Sequence, residues 1–467
     1  MWLETRNLHT KVVRADEDEI AWISGYLSFE DASAQYRNRG RQTDGRFRMF
    51  NVLSNTFPSG LMPLVKKGAA KEGITIEVAD KRTRPCEPDP AADLAWLRDY
   101  QHDATRSIFE KGRGIIWMAT GGGKGELPAS LGRALPCRWL FLVHRSTLVE
   151  QTAERFEKRT GEPAGRIYEG RWLEERVTFA TFQTIAAALK KEDERASLLL
   201  QSVGGLVCDE AHTVAADSFY RIAMATPNAY WRVGLSATPM ARGDRRSALV
   251  VAALGPVIYR LKAERLIEEG VLARPKIHLL PVVQTSAKPT WQGVYGDCVV
   301  RSTVRNRTLV QAAKRAPKPC LLFVKEITHG RLLLKALQKE GLHAEFIWGS
   351  DSTEGRSGAI KRLVRNDLDV LVCSVVFQEG VDVPELRSVI IGSGGKSVIA
   401  ALQRIGRGMR KTEDKAEFTV YDILDRGNGM LERHAKERLK AYMAEGHQTV
   451  VESSVGKIEV DLFSGAS

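Results

Sequence analysis

Three consecutive glycines, Gly121-Gly122-Gly123, are followed at once by Lys124 and come just after the apolar run Gly114-Ile115-Ile116. No other feature limits the fold as much. Three glycines in a row cannot form the interior of a helix or a strand. They allow a tight turn whose backbone N–H groups converge on an anion. The Lys124 ammonium can reach the same point, and a helix predicted behind it adds its positive end. Strand, glycine turn, lysine and helix together make a phosphate cradle. The general pattern G-x-x-x-x-G-K-[ST] is met only in its second half. Met118 stands at the first glycine, and Gly125 stands where a hydroxyl is expected. Alone, such a run is equally a plain connection, so the residues downstream decide.

Downstream, Trp139–Val143, Val177–Thr181, Gly205–Cys208 and Val233-Gly234-Leu235 read as buried strands separated by helical stretches, one of them over 148–159. This alternation predicts a parallel sheet with ligands gathered at the carboxyl ends of its strands. Asp209-Glu210-Ala211-His212 follows one strand, and Ser236-Ala237-Thr238 follows another. An aspartate so placed can hold Mg²⁺ on a nucleotide, and Glu210 can orient or deprotonate an attacking water. His212 can couple this site to the next loop. Gln101, upstream of the glycine turn, can read an adenine edge with its paired donor and acceptor.

A second α/β unit is predicted from about residue 263. Its strands are Cys320–Val324, 344–349, 369–373 and Ser388–Ile391, with Thr328 capping a helix that runs to Leu337. Past these lies Gln403-Arg404-Ile405-Gly406-Arg407-Gly408-Met409-Arg410, whose arginines share roughly one helical face.

A chain of 467 residues is too long for one ordinary core, and roughly three domains are expected. The prolines at 85, 88 and 90 mark a linker after an N-terminal segment whose charges nearly cancel, 14 Lys+Arg against 13 Asp+Glu over 1–92. That segment reads as strands at 46–53 and 74–79 with a helix around Leu61, Leu64 and Val65. Its arginines Arg37, Arg39, Arg41, Arg46 and Arg48, with Phe47, either grip a nucleic-acid backbone and stack a base or form a solvated surface loop. The net charge of +12 lies mostly on the later domains and fits either solubility or a polyanionic partner. No apolar run approaches the ~20 residues that span a membrane, and the start has no signal-peptide shape. Six scattered cysteines without a Cys-x-x-Cys pair argue against zinc ribbons and disulfide scaffolds and for a reducing cytoplasm.

These residues, in this order, resemble the superfamily 2 helicases over about 95–430. Arg98-Asp99-Tyr100-Gln101 is similar to the adenine-reading motif. Ala119 and Thr120 through Gly121, Gly122, Gly123 and Lys124 to Gly125 are similar to the phosphate loop. His144 and Arg145, with Thr181, Gln183 and Thr184, resemble the motifs that grip the nucleic-acid backbone. Asp209 to His212 resembles the motif for metal and water, and Ser236 with Thr238 the coupling motif. Gly380 and Asp382 match positions that near the phosphates and the ribose. Gln403 resembles a coupling residue, and Arg407 and Arg410 resemble arginine fingers. Within the superfamily the arrangement is most similar to the phage UvsW-type branched-DNA helicases, with RecG and type III restriction motors as cousins.

The resemblance implies an α/β fold of two tandem RecA-like parallel-sheet domains with a small α+β accessory domain. The expected division is an accessory nucleic-acid-binding domain 1–92, an ATP-binding domain 93–262, a second RecA-like domain 263–430 and a C-terminal helix and tail 431–467. The implied activity is ATP-dependent unwinding or remodelling of branched DNA in replication, recombination or repair, with ATP and Mg²⁺ as cofactors. The expected partners are DNA forks and junctions and RNA–DNA hybrids, with no membrane, for a cytoplasmic monomer or weak oligomer. An RNA remodeller, and a nucleotide-binding clamp that hydrolyses weakly because of Gly125, remain as alternatives.

Overall fold

Trp139–Val143, Val177–Thr181 and Gly205–Cys208 are buried at every position. A strand buried on both faces must lie inside a sheet covered by helices on both sides. The computed structural model describes residues 1–30, 46–211, 216–237, 245–349, 351–374, 383, 385–395, 417–444, 446–453 and 456–459. Its residues fall into two compact units, 1–118 with 123–261, and 119–122 with 262–467.

The first unit holds an eight-stranded sheet. From edge to edge it runs Arg171–Leu173, Ala164–Tyr168, Val177–Thr181, Trp139–Val143, Gly205–Cys208, Trp231–Ser236, Arg113–Met118 and Val257–Leu261. Every ladder is parallel except the outer hairpin of Arg171–Leu173 with Ala164–Tyr168. The chain leaves Arg113–Met118 and re-enters three positions away at Trp139–Val143. Gly205–Cys208 and Trp231–Ser236 later fill the gap, so the loops after Met118, Cys208 and Ser236 converge at one edge.

The N-terminal segment forms a four-stranded sheet, Thr56–Pro58, His9–Arg14, Trp2–Thr5 and Glu77–Asp80, with helices Glu17–Tyr26 and Met62–Lys71. The strand expected at 74–79 is Glu77–Asp80. The one expected at 46–53 is only Arg46–Arg48, paired with Ser28–Glu30. Arg46 is therefore on a strand and donates to the Ser28 hydroxyl at 2.8 Å, while Arg37, Arg39 and Arg41 lie outside the described residues. The hydrophobic cluster of this segment includes Leu249 and Ala252 from helix Arg245–Leu254. Gly60 permits that packing: a Cβ there would stand 2.3 Å from the Val251 carbonyl oxygen.

The second unit repeats the plan. Its sheet runs Ala344–Ile347, Val370–Ser374, Cys320–Val324, Ser388–Ile391, Glu417–Arg426, Arg274–Val283, Gln448–Ser453 and Gly456–Glu459, parallel except for the last pair. Four of its strands, Arg274–Val283, Glu417–Arg426, Gln448–Ser453 and Gly456–Glu459, escape the sequence reading. Residues beyond 430 are thus not a helix and tail: helix Gly429–Ala444 leads into a strand that pairs with Arg274–Val283. Helix Ile327–Lys339 starts one residue before Thr328, so Thr328 is not its cap. Two buried carboxylate–guanidinium pairs hold the centre, Arg305 with Asp425 and Arg438 with Asp422. All six cysteines are free thiols, and no helix among the described residues is long and apolar enough to cross a membrane.

Candidate nucleotide and nucleic-acid site

Strand Arg113–Met118 is buried throughout and delivers the glycine turn to the edge of the sheet. Gly121 and Gly123 take φ of +89° and +78°, conformations that side chains disfavour. The chain then makes one 3-10 turn, Lys124–Glu126, before helix Leu127–Ala134 begins. The helix thus does not follow Lys124 directly, as the sequence predicts, but begins only at Leu127. The Lys124 ammonium folds back and donates to the Met118 carbonyl at 3.1 Å.

Gln101 lies in helix Asp99–Lys111 and is buried. Its amide bonds both ways: the nitrogen donates to the Gly123 carbonyl at 3.2 Å, and the oxygen accepts from the Arg98 backbone N–H at 2.9 Å. The residue expected to read a base edge therefore also braces the glycine turn. The Arg98 guanidinium donates to the Tyr100 hydroxyl at 3.0 Å.

Asp209 follows strand Gly205–Cys208, and its backbone N–H donates to the Leu142 carbonyl at 2.9 Å, extending the ladder by one residue. Glu210 turns away at φ +49°, an uncommon conformation for a non-glycine residue. The Ala211 N–H then donates to the Leu235 carbonyl at 3.0 Å, tying this turn to the strand that ends at Ser236. Ser236 is buried and stands in register with Trp117. Lys124, Gly125, Thr152, Asp209 and Leu235 line one small cavity.

The donor set suits a nucleotide with its metal. A turn with two left-handed glycines presents N–H groups, Lys124 adds a cation, and among the described residues Asp209 is the carboxylate that lines that cavity. Burial, then the neighbouring Glu210, pushes the Asp209 carboxyl up to about 6, while Lys124 and His144 pull it down. A carboxylate so disfavoured in its charged form gains from an arriving cation. Among the described residues no cluster of three or more His, Cys, Asp or Glu is arranged to hold a metal by itself.

The strand ends also bring together the residues expected to grip nucleic acid. Val177–Thr181 and Trp139–Val143 are parallel neighbours, and the Gln183 amide donates to the His144 carbonyl at 3.0 Å. Thr181 and Thr184 share a hydroxyl–hydroxyl bond of 2.8 Å, and Arg145 begins helix Ser146–Thr160. Arg407, Arg410, Gln403, Gly380, Asp382, His212 and Thr238 lie outside the described residues.

One neighbour of the loop is absent from the sequence reading. A Cβ placed on Gly125 would stand 1.9 Å from the Nη1 of Arg155, on helix Ser146–Thr160. Only the missing hydroxyl at 125 hinted that something else fills that space.

Residues 95–241 match the family described as Type III restriction enzyme, res subunit, and residues 304–412 match Helicase conserved C-terminal domain, together more than half of the chain. The chain is 24% identical over 457 residues to ATP-dependent DNA helicase uvsW of Enterobacteria phage T4, covering 88% of each. It is 26% identical over 360 residues to Putative helicase 22 of Sulfolobus islandicus filamentous virus, covering 70% of this chain and 64% of that relative, a little under two thirds of its length. A solved fragment of a putative HsdR subunit of a type I restriction enzyme from Vibrio vulnificus YJ016 has the same fold. It is 21% identical with a TM-score of 0.55, covering 88% of this chain and 79% of that one.

Proposed function

This chain belongs to the superfamily 2 DNA helicases, ATP-hydrolysing motors with a type III restriction-like first half, and we propose that it moves on DNA to unwind or remodel branched substrates such as forks, junctions and R-loops. One observation carries the reading: Lys124 of the glycine turn and Asp209 of a neighbouring strand end meet at one small, water-sized cavity beneath the loop. Lys124 would leave the Met118 carbonyl to meet a phosphate, the glycine-turn N–H groups would hold the neighbouring oxygens, and Asp209 would hold the Mg²⁺. Glu210 orients the attacking water and accepts its proton. The bound nucleotide supplies the free energy of phosphoanhydride cleavage. Ser236 and His212 pass the state of this site to the next loop, and Gln101 with Arg98 reads the adenine.

On the second unit we assign Arg407 and Arg410 to the charge that develops on the phosphate, Gly380 and Asp382 to the nucleotide, and Gln403 to coupling. His144, Arg145, Thr181, Gln183 and Thr184 contact the DNA backbone, so binding follows structure and salt rather than sequence. Likeness to a phage DNA helicase over 88% of both chains supports DNA as the substrate and a host-cytoplasmic setting. We keep 1–92 as an accessory nucleic-acid-binding domain, with Arg37, Arg39 and Arg41 on it, followed by motor domains at 93–262 and 263–430. The test is ATPase rate against single strand, duplex, fork, four-way junction and RNA. Greatest stimulation by forks or junctions supports the proposal; equal or greater stimulation by RNA overturns it. Gly125 favours one second reading, a clamp that binds nucleotide and hydrolyses it slowly, which the same assay identifies by low turnover on every substrate.

A further inference from the structure

Gly125 and Arg155 belong to one arrangement. Helix Ser146–Thr160 brings Thr152 to the cavity that Lys124 and Asp209 line, and Arg155 lies three residues on, along the same face. Its guanidinium reaches back over the loop until Nη1 stands 1.9 Å from where a Gly125 Cβ would be. That is the space of the serine or threonine side chain in an ordinary phosphate loop. Any residue larger than glycine would have to push the guanidinium out.

The tether of Arg155 is loose. Its Nε is 3.7 Å from Glu126, beyond hydrogen-bond range, whereas Arg159 donates to the other Glu126 oxygen at 3.0 Å. Arg159 neutralises Glu126 without help, so Arg155 can turn to an incoming anion at little cost. A guanidinium offers a planar fork of donors matched to phosphate oxygens.

On the reading of the glycine turn as a nucleotide site, we propose that Arg155 is a phosphate-binding residue, and that Gly125 is the residue that admits it. It places a fixed positive charge where other loops place a hydroxyl that helps to hold the metal. The protein should therefore bind nucleotide with unusually little help from Mg²⁺.

The test is calorimetric titration with ADP, in Mg²⁺ and in EDTA, on the full chain and its variants. The wild type should keep its ADP affinity in EDTA to within about ten-fold of that in Mg²⁺. Arg155→Ala should lose at least about ten-fold in EDTA, the scale of one charge-assisted phosphate contact, and less in Mg²⁺. Gly125→Ser should show the same pattern by displacing the guanidinium, and adding Arg155→Ala to it should cost nothing more. The Arg155 side chain is 46% exposed, so its truncation leaves no buried hole and the melting temperature should hold. ADP binding by Arg155→Ala equal to wild type in EDTA overturns the proposal, as does additivity of the two substitutions. Lys124→Ala separates the layers. If it binds ADP like wild type, or wild type binds none, the nucleotide site itself is misplaced and Arg155 falls with it. If only Lys124→Ala loses binding, the site stands and Arg155 is a surface ion pair.

Discussion

The Lys124 ammonium donates to the main-chain carbonyl of Met118 at 3.1 Å, closing the phosphate loop on itself across six residues. The bond keeps the side chain beside the strand end and gives the ammonium a partner that a phosphate can replace. Lys124→Ala should therefore lose nucleic-acid-stimulated ATPase by at least about 100-fold, since a preorganised charge on the transferring phosphate is worth ~3 kcal/mol or more. Thermal melting should change little. Wild-type turnover in this variant would remove Lys124 from the site.

Glu210 is predicted to act on water rather than on nucleotide. Glu210→Gln should keep ADP affinity within about two-fold while turnover falls by roughly 10²–10⁴, the range for a lost general base. Rapid-quench measurement of single-turnover hydrolysis checks this, and an unchanged rate would return the role to another residue.

His329 sets an acid limit on stability. Its ring is fully buried, with Nε2 2.8 Å from the Asn306 side-chain oxygen, and burial together with Arg305 lowers its pKa to about 3. The unfolded chain takes up this proton near 6.5 while the folded chain stays neutral. The contribution to stability is therefore full above pH 6.5 and declines as pH falls from 6.5 towards 3, reaching a loss of about 2 kcal/mol at pH 5. His447, lowered by burial to about 4, acts with the same sign. Urea unfolding between pH 5 and 6 should show His329→Gln reducing the slope of stability against pH by about one proton. An unchanged slope would mean that the ring is already protonated when folded.

Arg438 and Asp422 are each 2% exposed at the side chain and share two bonds, at 2.8 and 3.1 Å, while the Tyr442 hydroxyl donates to the same carboxylate at 2.8 Å. Removing one partner leaves a charge buried alone. Arg438→Met should therefore destabilise the second unit by about 3–5 kcal/mol. Denaturant midpoints measure it, and a loss below about 1 kcal/mol would show that water reaches the pair.

Gly60→Ala tests how the N-terminal segment is seated. The new methyl would meet the Val251 and Ala252 carbonyl oxygens at 2.3 and 2.4 Å, and backbone cannot swing away. The expected cost is about 1–3 kcal/mol. Deletion of 1–92 should be costlier, because it bares Leu249 and Ala252 and strips Arg113 of its bond to the Asn7 carbonyl. A deleted chain that melts like wild type would show that this packing contributes little.

The interior strands and their loops were legible in the sequence because each signal is local. An apolar run such as Trp139–Val143 states its own burial, and a glycine turn or an acidic pair states its chemistry within a few residues. Strands Val257–Leu261 and Gln448–Ser453 were not legible: the first is only partly buried, and both owe their pairing to distant partners. Gln101 could be placed before the loop, but its bond to the Gly123 carbonyl needed the fold. The sequence determined that this is a two-sheet nucleotide motor and which residue types stand at its strand ends, because periodicity and turn chemistry act over a few residues. Tertiary structure alone decided the strand order, the burial of the Arg438–Asp422 pair and the seating of Arg155 over Gly125. Those depend on which side chains of separate elements arrive at the same point, and no spacing along the chain records that.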